Sequence, residues 1–184
     1  MDSGVPLEAR AAKGDRAAFS ALMTATKGDL HRFVRRYIGD DEEAYDLVQE
    51  TYASAWLAIR RYDPDRSFAA WLRAIAVNKC RDWGRKRTVR RVIRGVMGLD
   101  APEAMAVGDG AATGEERLDG DRRRAAIDLA ISVLPDNLKA PLLLSALEGR
   151  SHAEIALIVG ATAKAVETRV ARARAKLAEA LREL

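Results

Sequence analysis

Cysteine is nearly absent from this chain. Cys80 is the only one, so no internal disulfide can form. The two histidines, His31 and His152, lie far apart, and with one cysteine they argue against a structural zinc site. No apolar run approaches the roughly 20 residues that cross a bilayer, and no signal pattern opens the chain. A cytoplasmic protein, not embedded in a membrane, is therefore expected. No Ser/His/Asp grouping, phosphate-binding glycine loop or metal-ligand cluster is present. That argues against an enzyme and leaves no role for a cofactor, a metal or a small-molecule substrate. Aromatics are few and one-sided: the three Trp, four Tyr and three Phe all lie between Phe19 and Trp83. Strand patterns of useful length and internal repeats are missing too, so the chain reads as all-α.

What is present is helix. The 184 residues suffice for one medium or two small domains, and 48% hydrophobic with 32% charged residues fits an ordered, soluble chain. The lopsided aromatics predict two helical domains with different cores. The net charge of +4 is modest, so its distribution matters more.

The most specific stretch is Ser151 to Leu181. Ser151 and Glu154 have capping-box spacing. A short apolar helix follows, and Gly160 can take the left-handed conformation that ends it. Thr162 can cap a second, longer helix. Ala156, Gly160 and Val166 are spaced as two helices packed across a tight turn require. Val166, Val170, Ala173, Leu177 and Leu181 form one stripe of the second helix. Lys164, Thr168 and Arg172 form the opposite one. An apolar back and a polar front suit a helix lying in a DNA groove. An amphipathic hairpin with a basic surface is the plainer alternative.

Upstream, Asp15 can cap a helix carrying Phe19, Leu22 and Met23, with a weak point at Gly28-Asp29 and an end at Gly39. Asp40 to Glu43 opens the next helix, whose acids suit the dipole. Tyr45, Val48, Tyr52, Ala55, Trp56 and Ile59 form its expected inward stripe. Asp41, Glu42, Asp46 and Glu50 form an acidic outer face. Pro64 breaks the chain. Ser67 can cap a long helix with an apolar face from Phe68 to Trp83 and a polar stripe of Asn78, Arg81 and Arg85. That helix ends in Arg85, Lys86, Arg87, Arg90, Arg91 and Arg94, a cation cluster that suits either the dipole or phosphates. Residues 95–120 read as a linker, which would span about 25–30 Å as a coil. Beyond it, a helix from Asp121 stops at Leu134-Pro135. Another follows to Gly149, with Pro141 expected to delay its start or kink it.

Four motifs in order carry a resemblance: Asp46-Leu47-Val48-Gln49-Glu50-Thr51 with Trp56; Tyr62 to Phe68 with Ala70-Trp71-Leu72; Ile75-Ala76-Val77-Asn78 with Arg81-Asp82; and Leu134-Pro135 leading to Glu154-Ile155-Ala156, Gly160, Val166, Arg169 and Arg172-Ala173-Arg174. The chain resembles the bacterial extracytoplasmic-function sigma factors, two-domain members of the sigma-70 family. The likeness implies a region 2-like domain in residues 1–94, the linker at 95–120 and a region 4-like domain in 121–184. It also implies binding to core RNA polymerase, recognition of −10 and −35 promoter elements, DNA melting and restraint by an anti-sigma factor, as in stress or envelope responses.

By resemblance, Asp46, Leu47, Gln49 and Glu50 would touch the polymerase, although Leu47 suits core packing equally. Tyr62, Asp63, Arg66, Ser67 and Asn78 would form a pocket for a flipped −10 base, and Arg81, Arg85, Lys86 and Arg87 would hold phosphates. Lys164, Thr168, Arg169, Arg172 and Arg174 would meet the −35 duplex. Ala165 and Glu167 depart from residues frequent in the family. Glu167 can accept from a cytosine amino group, repel phosphate or hold an arginine. A helix-turn-helix regulator with a helical input domain accounts for the second half equally well but not for the acidic helix. A sigma mimic that sequesters a regulator would be expected to lose the basic stripe.

Overall fold

A computed structural model describes residues 5–96 and 125–182, with side chains as far as Val89 in the first stretch. Among these residues every regular element is helical. The 95–120 linker, the helix start at Asp121 and the side chains of Arg90, Arg91 and Arg94 lie outside the described residues.

The N-terminal helices are α1 (Leu7–Ala12), α2 (Arg16–Ile38), α3 (Asp41–Ala58) and α4 (Phe68–Val96), with a 3-10 turn at Ile59–Arg61. The caps act as the sequence predicts. Asp15 accepts the backbone N–H groups of Ala17 and Ala18 at 2.9 and 3.0 Å, satisfying donors that the first turn of α2 leaves orphaned. Asp40 accepts Glu43 N–H at 2.9 Å, and Ser67 Oγ accepts Ala70 N–H at 3.3 Å. Gly39 ends α2 with φ 78°, in the left-handed region open to glycine. The break or weak point expected at Gly28-Asp29 does not interrupt the helix. Helix α2 runs straight through it, because one glycine costs only about 1 kcal/mol and buried Leu22, Leu30, Phe33 and Val34 hold the helix on both sides.

In the C-terminal half, residues 125–132 form α5, followed by α6 (Asp136–Glu148), α7 (His152–Val159) and α8 (Ala163–Ala180). Leu134-Pro135 separates α5 from α6. Pro141 does not delay α6, which begins at Asp136. Buried Leu138, Ala140, Leu142, Leu143 and Leu144 on both sides of the proline anchor the helix through the lost hydrogen bond.

The aromatics build one end of the core. Phe19 meets Trp56 at 5.1 Å between ring centroids and Phe68 edge-on at 6.0 Å, and Tyr62 meets Trp71 at 4.9 Å. Two separate cores do not form. Leu143, Leu144, Ile155, Ile158 and Val166 belong to the same buried cluster as Phe33, Val34, Leu72 and Val77. Only Leu134, Leu138, Leu142 and Ala173 make a small cluster of their own. Helices α6 and α7 achieve this by packing on α2 and α4.

Candidate nucleic-acid and polymerase interfaces

The loop before α4 is built from within. Tyr62 is only 4% exposed and its hydroxyl donates to the Arg66 carbonyl at 2.5 Å. Burial pushes this phenol up to about 12. Asp63 Oδ1 accepts Asp65 N–H at 3.1 Å, an Asx turn, and Asp63 Oδ2 lies 3.4 Å from Arg66 Nε. Tyr62 is therefore an internal support of the loop, not part of its exposed surface. Asp63, Arg66 and Ser67 form that surface.

On α4, Asn78, Arg85 and Lys86 are exposed, and Arg81 is half-buried. Asn78, Arg81 and Arg85 are three and four residues apart, so they share one face. Arg85 pairs with Asp82 on the same helix. The Arg87 guanidinium stacks 5.2 Å above the Trp83 ring. Trp83 in turn donates from Nε1 to Glu43 Oε2 at 2.8 Å, and Lys79 Nζ lies 3.3 Å from Glu50 Oε2. These two cross-helix contacts tie α4 to the acidic helix α3. The sequence reading missed both. Glu43 had been only a first-turn acid, and no local pattern pairs residues 40 apart.

Helix α3 divides differently from the expected stripes. Asp46, Gln49 and Glu50 are exposed, whereas Leu47 is 5% exposed and packs in the core beside Val48. Tyr45 points outward at 51% exposure, against expectation. The buried face is Ala44, Leu47, Val48, Thr51, Tyr52 and Ala55, a stripe rotated by about one residue, where α2 and α4 both press.

The helix-turn-helix forms as its local signals dictate. Ser151 accepts Glu154 N–H, while Glu154 Oε2 accepts Ser151 N–H at 2.9 Å, completing the capping box. The Ser151 hydroxyl, which donates to Glu154 Oε2 at 2.7 Å, and then the Ser151 N–H hold the Glu154 carboxyl below its ordinary value. Gly160 turns the chain at φ 67°, and Thr162 caps α8 by accepting Ala165 N–H at 3.1 Å. Val166, Val170 and Ala173 are buried. Lys164, Thr168, Arg172 and Arg174 are exposed, and Arg169 is half-buried at the edge of that face. Glu167 holds Lys164, not an arginine, at 2.9 Å. The hydrogen bond and charge of Lys164 lower the Glu167 carboxyl. Thr168 donates its hydroxyl to the Lys164 carbonyl at 3.0 Å.

Among the described residues no group of three or more His, Cys, Asp or Glu side chains could hold a metal ion. Cys80 is fully buried, and burial pushes its thiol up to about 12, leaving it inert.

Family models match both halves of this all-α chain. The sigma-70 region 2 model covers residues 22–90 and the sigma-70 region 4 model covers residues 124–177. The RNA polymerase sigma factor CnrH of Cupriavidus metallidurans is 35% identical over 95% of this chain and 92% of its own. The chain belongs to the sigma-70 family. Within it, the sigma factor is similar to extracytoplasmic-function members. SigC of Mycobacterium tuberculosis is 38% identical over 92% of this chain and 87% of its own, and SigW of Bacillus subtilis is 30% identical over 94% and 93%. The structure of CnrH in complex with the cytosolic domain of CnrY matches with a TM-score of 0.68 at 30% identity, covering 96% of each chain. The sigma factor RpoE, in complex with NepR from Bartonella quintana, shares the fold with a TM-score of 0.70 at 24% identity, over 89% of this chain and 96% of that one. Sigma factors are regulatory DNA-binding proteins rather than an enzyme family. No helix among the described residues is long and apolar enough to cross a membrane.

Proposed function

We propose that this sigma factor loads core RNA polymerase through α3, opens the −10 element with the α4 face and its loop, and reads the −35 duplex with α8. One observation carries the reading: two exposed basic faces stand on helices whose opposite sides are buried, beside an exposed acidic face. Asp46, Gln49 and Glu50 form the polymerase contact, where acids complement a basic partner. Leu47 supports that helix from beneath.

Asn78 meets the flipped −10 base, since its amide can both donate and accept at a base edge. Asp63, Arg66 and Ser67 border the base pocket, and Tyr62 shapes it from inside. Stabilising an extruded base offsets unpairing, which costs a few kcal/mol, so melting needs no nucleotide hydrolysis. Arg81, Arg85, Lys86 and Arg87 take phosphates. Lys164, Thr168, Arg169, Arg172 and Arg174 take the −35 duplex, with Glu167 setting the position of Lys164. The division into residues 1–94, 95–120 and 121–184 follows these roles. The sigma factor works in the cytoplasm, performs no chemistry of its own and is held off by an anti-sigma factor, as the CnrH and RpoE complexes suggest by analogy.

Run-off transcription with purified core polymerase and genomic fragments tests the proposal. Specific transcripts that depend on this protein are expected. Failure to bind core, or to start specific transcripts, would sink it.

A further inference from the structure

The polar front of α8 carries an ion pair near its N-terminal end, where a helix lying in the major groove meets base edges. Lys164 and Glu167 are the second and fifth residues of the helix, and Lys164 Nζ donates to Glu167 Oε2 at 2.9 Å. Both side chains are exposed, at 82% and 53%. Their neighbours are small: Ala163 and Ala171 are exposed, and Ala165 is half-buried. Small side chains flanking the pair let the helix come close to base edges. Thr168, one turn on from Lys164, donates its hydroxyl proton to the Lys164 carbonyl. Glu167 is the acid of this face, and an acid is unfavourable there. It repels the phosphates that Arg169, Arg172 and Arg174 are proposed to attract. Lys164 offsets that charge without removing it, since its hydrogen bond keeps the carboxyl ionised.

Three residues of helix rise about 4.5 Å along the axis. Stacked base pairs are about 3.4 Å apart. The two side chains therefore meet one base pair or two neighbours. Resting on the sigma-factor reading, we infer that Lys164 and Glu167 act together as a base reader that selects a C·G pair in the −35 element. Glu167 then does more than place Lys164.

The chemistry of the pair decides which base pair it suits. An ionised carboxylate only accepts hydrogen bonds. In the major groove the donors are the cytosine N4 and adenine N6 amino groups. Adenine sets the N7 acceptor beside N6, so a carboxylate that takes N6 brings its second oxygen against N7. Cytosine has no acceptor on that side. Its partner guanine offers O6 and N7, two acceptors for the Lys164 ammonium. A C·G pair thus satisfies both charges, whereas an A·T pair sets one carboxylate oxygen against an acceptor. Phosphate contacts from the arginines that follow fix the register but carry no sequence information of their own.

A base-substitution series tests this. Each base pair of the −35 element in a fragment transcribed by the wild type is replaced in turn. Run-off product is then measured with core polymerase carrying the wild type, Glu167→Ala, Glu167→Gln or Lys164→Ala. For the wild type one C·G pair should stand out, with a loss of about fivefold or more on replacement. Glu167→Ala should flatten the preference at that pair and leave the preferences at the other pairs. Glu167→Gln should move it to A·T, because glutamine matches adenine N6 and N7 together. Lys164→Ala should weaken the preference at the same pair. Glu167 is exposed, so neither of its substitutions disturbs the core. The inference is overturned if both Glu167 variants keep the wild-type preference at every pair, which would leave Glu167 only the counter-ion of Lys164. Flattening at all pairs at once also overturns it, since that marks Glu167 as a support of the helix. A wild type that starts no specific transcripts strikes the sigma-factor reading and this inference with it. A wild type that transcribes while its variants read the same bases strikes this inference alone.

Discussion

The two proposed DNA faces are built in opposite ways. On α8, the caps, turn and stripe lie within some thirty residues (the Ser151–Glu154 box, the Gly160 turn, the Thr162 cap and the Val166 stripe), and α6 packs behind them. On α4, the supports come from far along the chain. Trp83 is held by Glu43, Lys79 by Glu50, and the preceding loop rests on Phe19, Phe68 and Trp71 through Tyr62. In the proposed roles the α8 face reads a duplex that is already ordered, so a preset helix suffices. The α4 face is proposed to hold a strand that leaves its partner, and it is braced by the same helix that is proposed to dock on polymerase. The helix proposed to dock on polymerase therefore braces the α4 face directly, whereas α8 packs chiefly on α6 and α7.

The comparison can be broken most forcefully at Phe68. Phe68→Ala should cost about 3–5 kcal/mol by denaturant unfolding, since it removes a 3% exposed ring shared by Phe19, Tyr62 and Trp71. A loss under about 1 kcal/mol would mean the aromatic cluster is not what braces α4.

Next in size is the division of labour. Asn78→Ala should lower open-complex formation about tenfold or more, consistent with about 1–3 kcal/mol for a specific base contact, while core binding stays intact. Arg172→Ala should weaken −35 duplex binding instead and lower its salt slope by about one ion. If both variants fail in the same assay, the two faces are not separate.

A smaller effect is expected at the cap. Ser151→Ala should destabilise the helix-turn-helix by about 1 kcal/mol, and hydrogen exchange in α7 should report it more strongly than exchange in α3. Equal loss of protection in both helices would argue that the shared core dominates the local signals.

The smallest effect is a pH dependence. Glu154 has a lowered carboxyl in the folded state, so its contribution to stability is present above its unfolded value of about 4.5. That contribution is lost as pH falls through the lowered folded value. Glu154→Gln keeps an acceptor for Ser151 N–H and removes the charge, so it should flatten this part of the acid unfolding profile. An unaltered profile would remove the carboxylate from the account.

Sequence patterns reached the two faces to different depths. Asn78, Arg81 and Arg85 could be placed on one stripe by spacing alone, and Lys164, Thr168 and Arg172 on another. Periodicity places Tyr45 inward, where the structure exposes it, and fits Leu47 to surface and core equally. Those positions sit at the margin of the stripe, where the direction of the neighbouring helices decides burial. Tyr62 looked available to DNA because an aromatic in a loop shows nothing of what packs over it. Arg73 stands beside Leu72 in an otherwise apolar run, and no spacing points from it to Glu148.

By itself the sequence determined the helices, their caps, the tight turn and the polarity of each face. These depend on backbone donors, left-handed glycine and side-chain period, all settled within a few residues. Tertiary structure alone decided that the two halves share one core, that Glu148 neutralises a buried arginine 75 residues away, and that Asp136 lies against Gly84. Those contacts depend on which surfaces leave water together, and no local spacing encodes that choice.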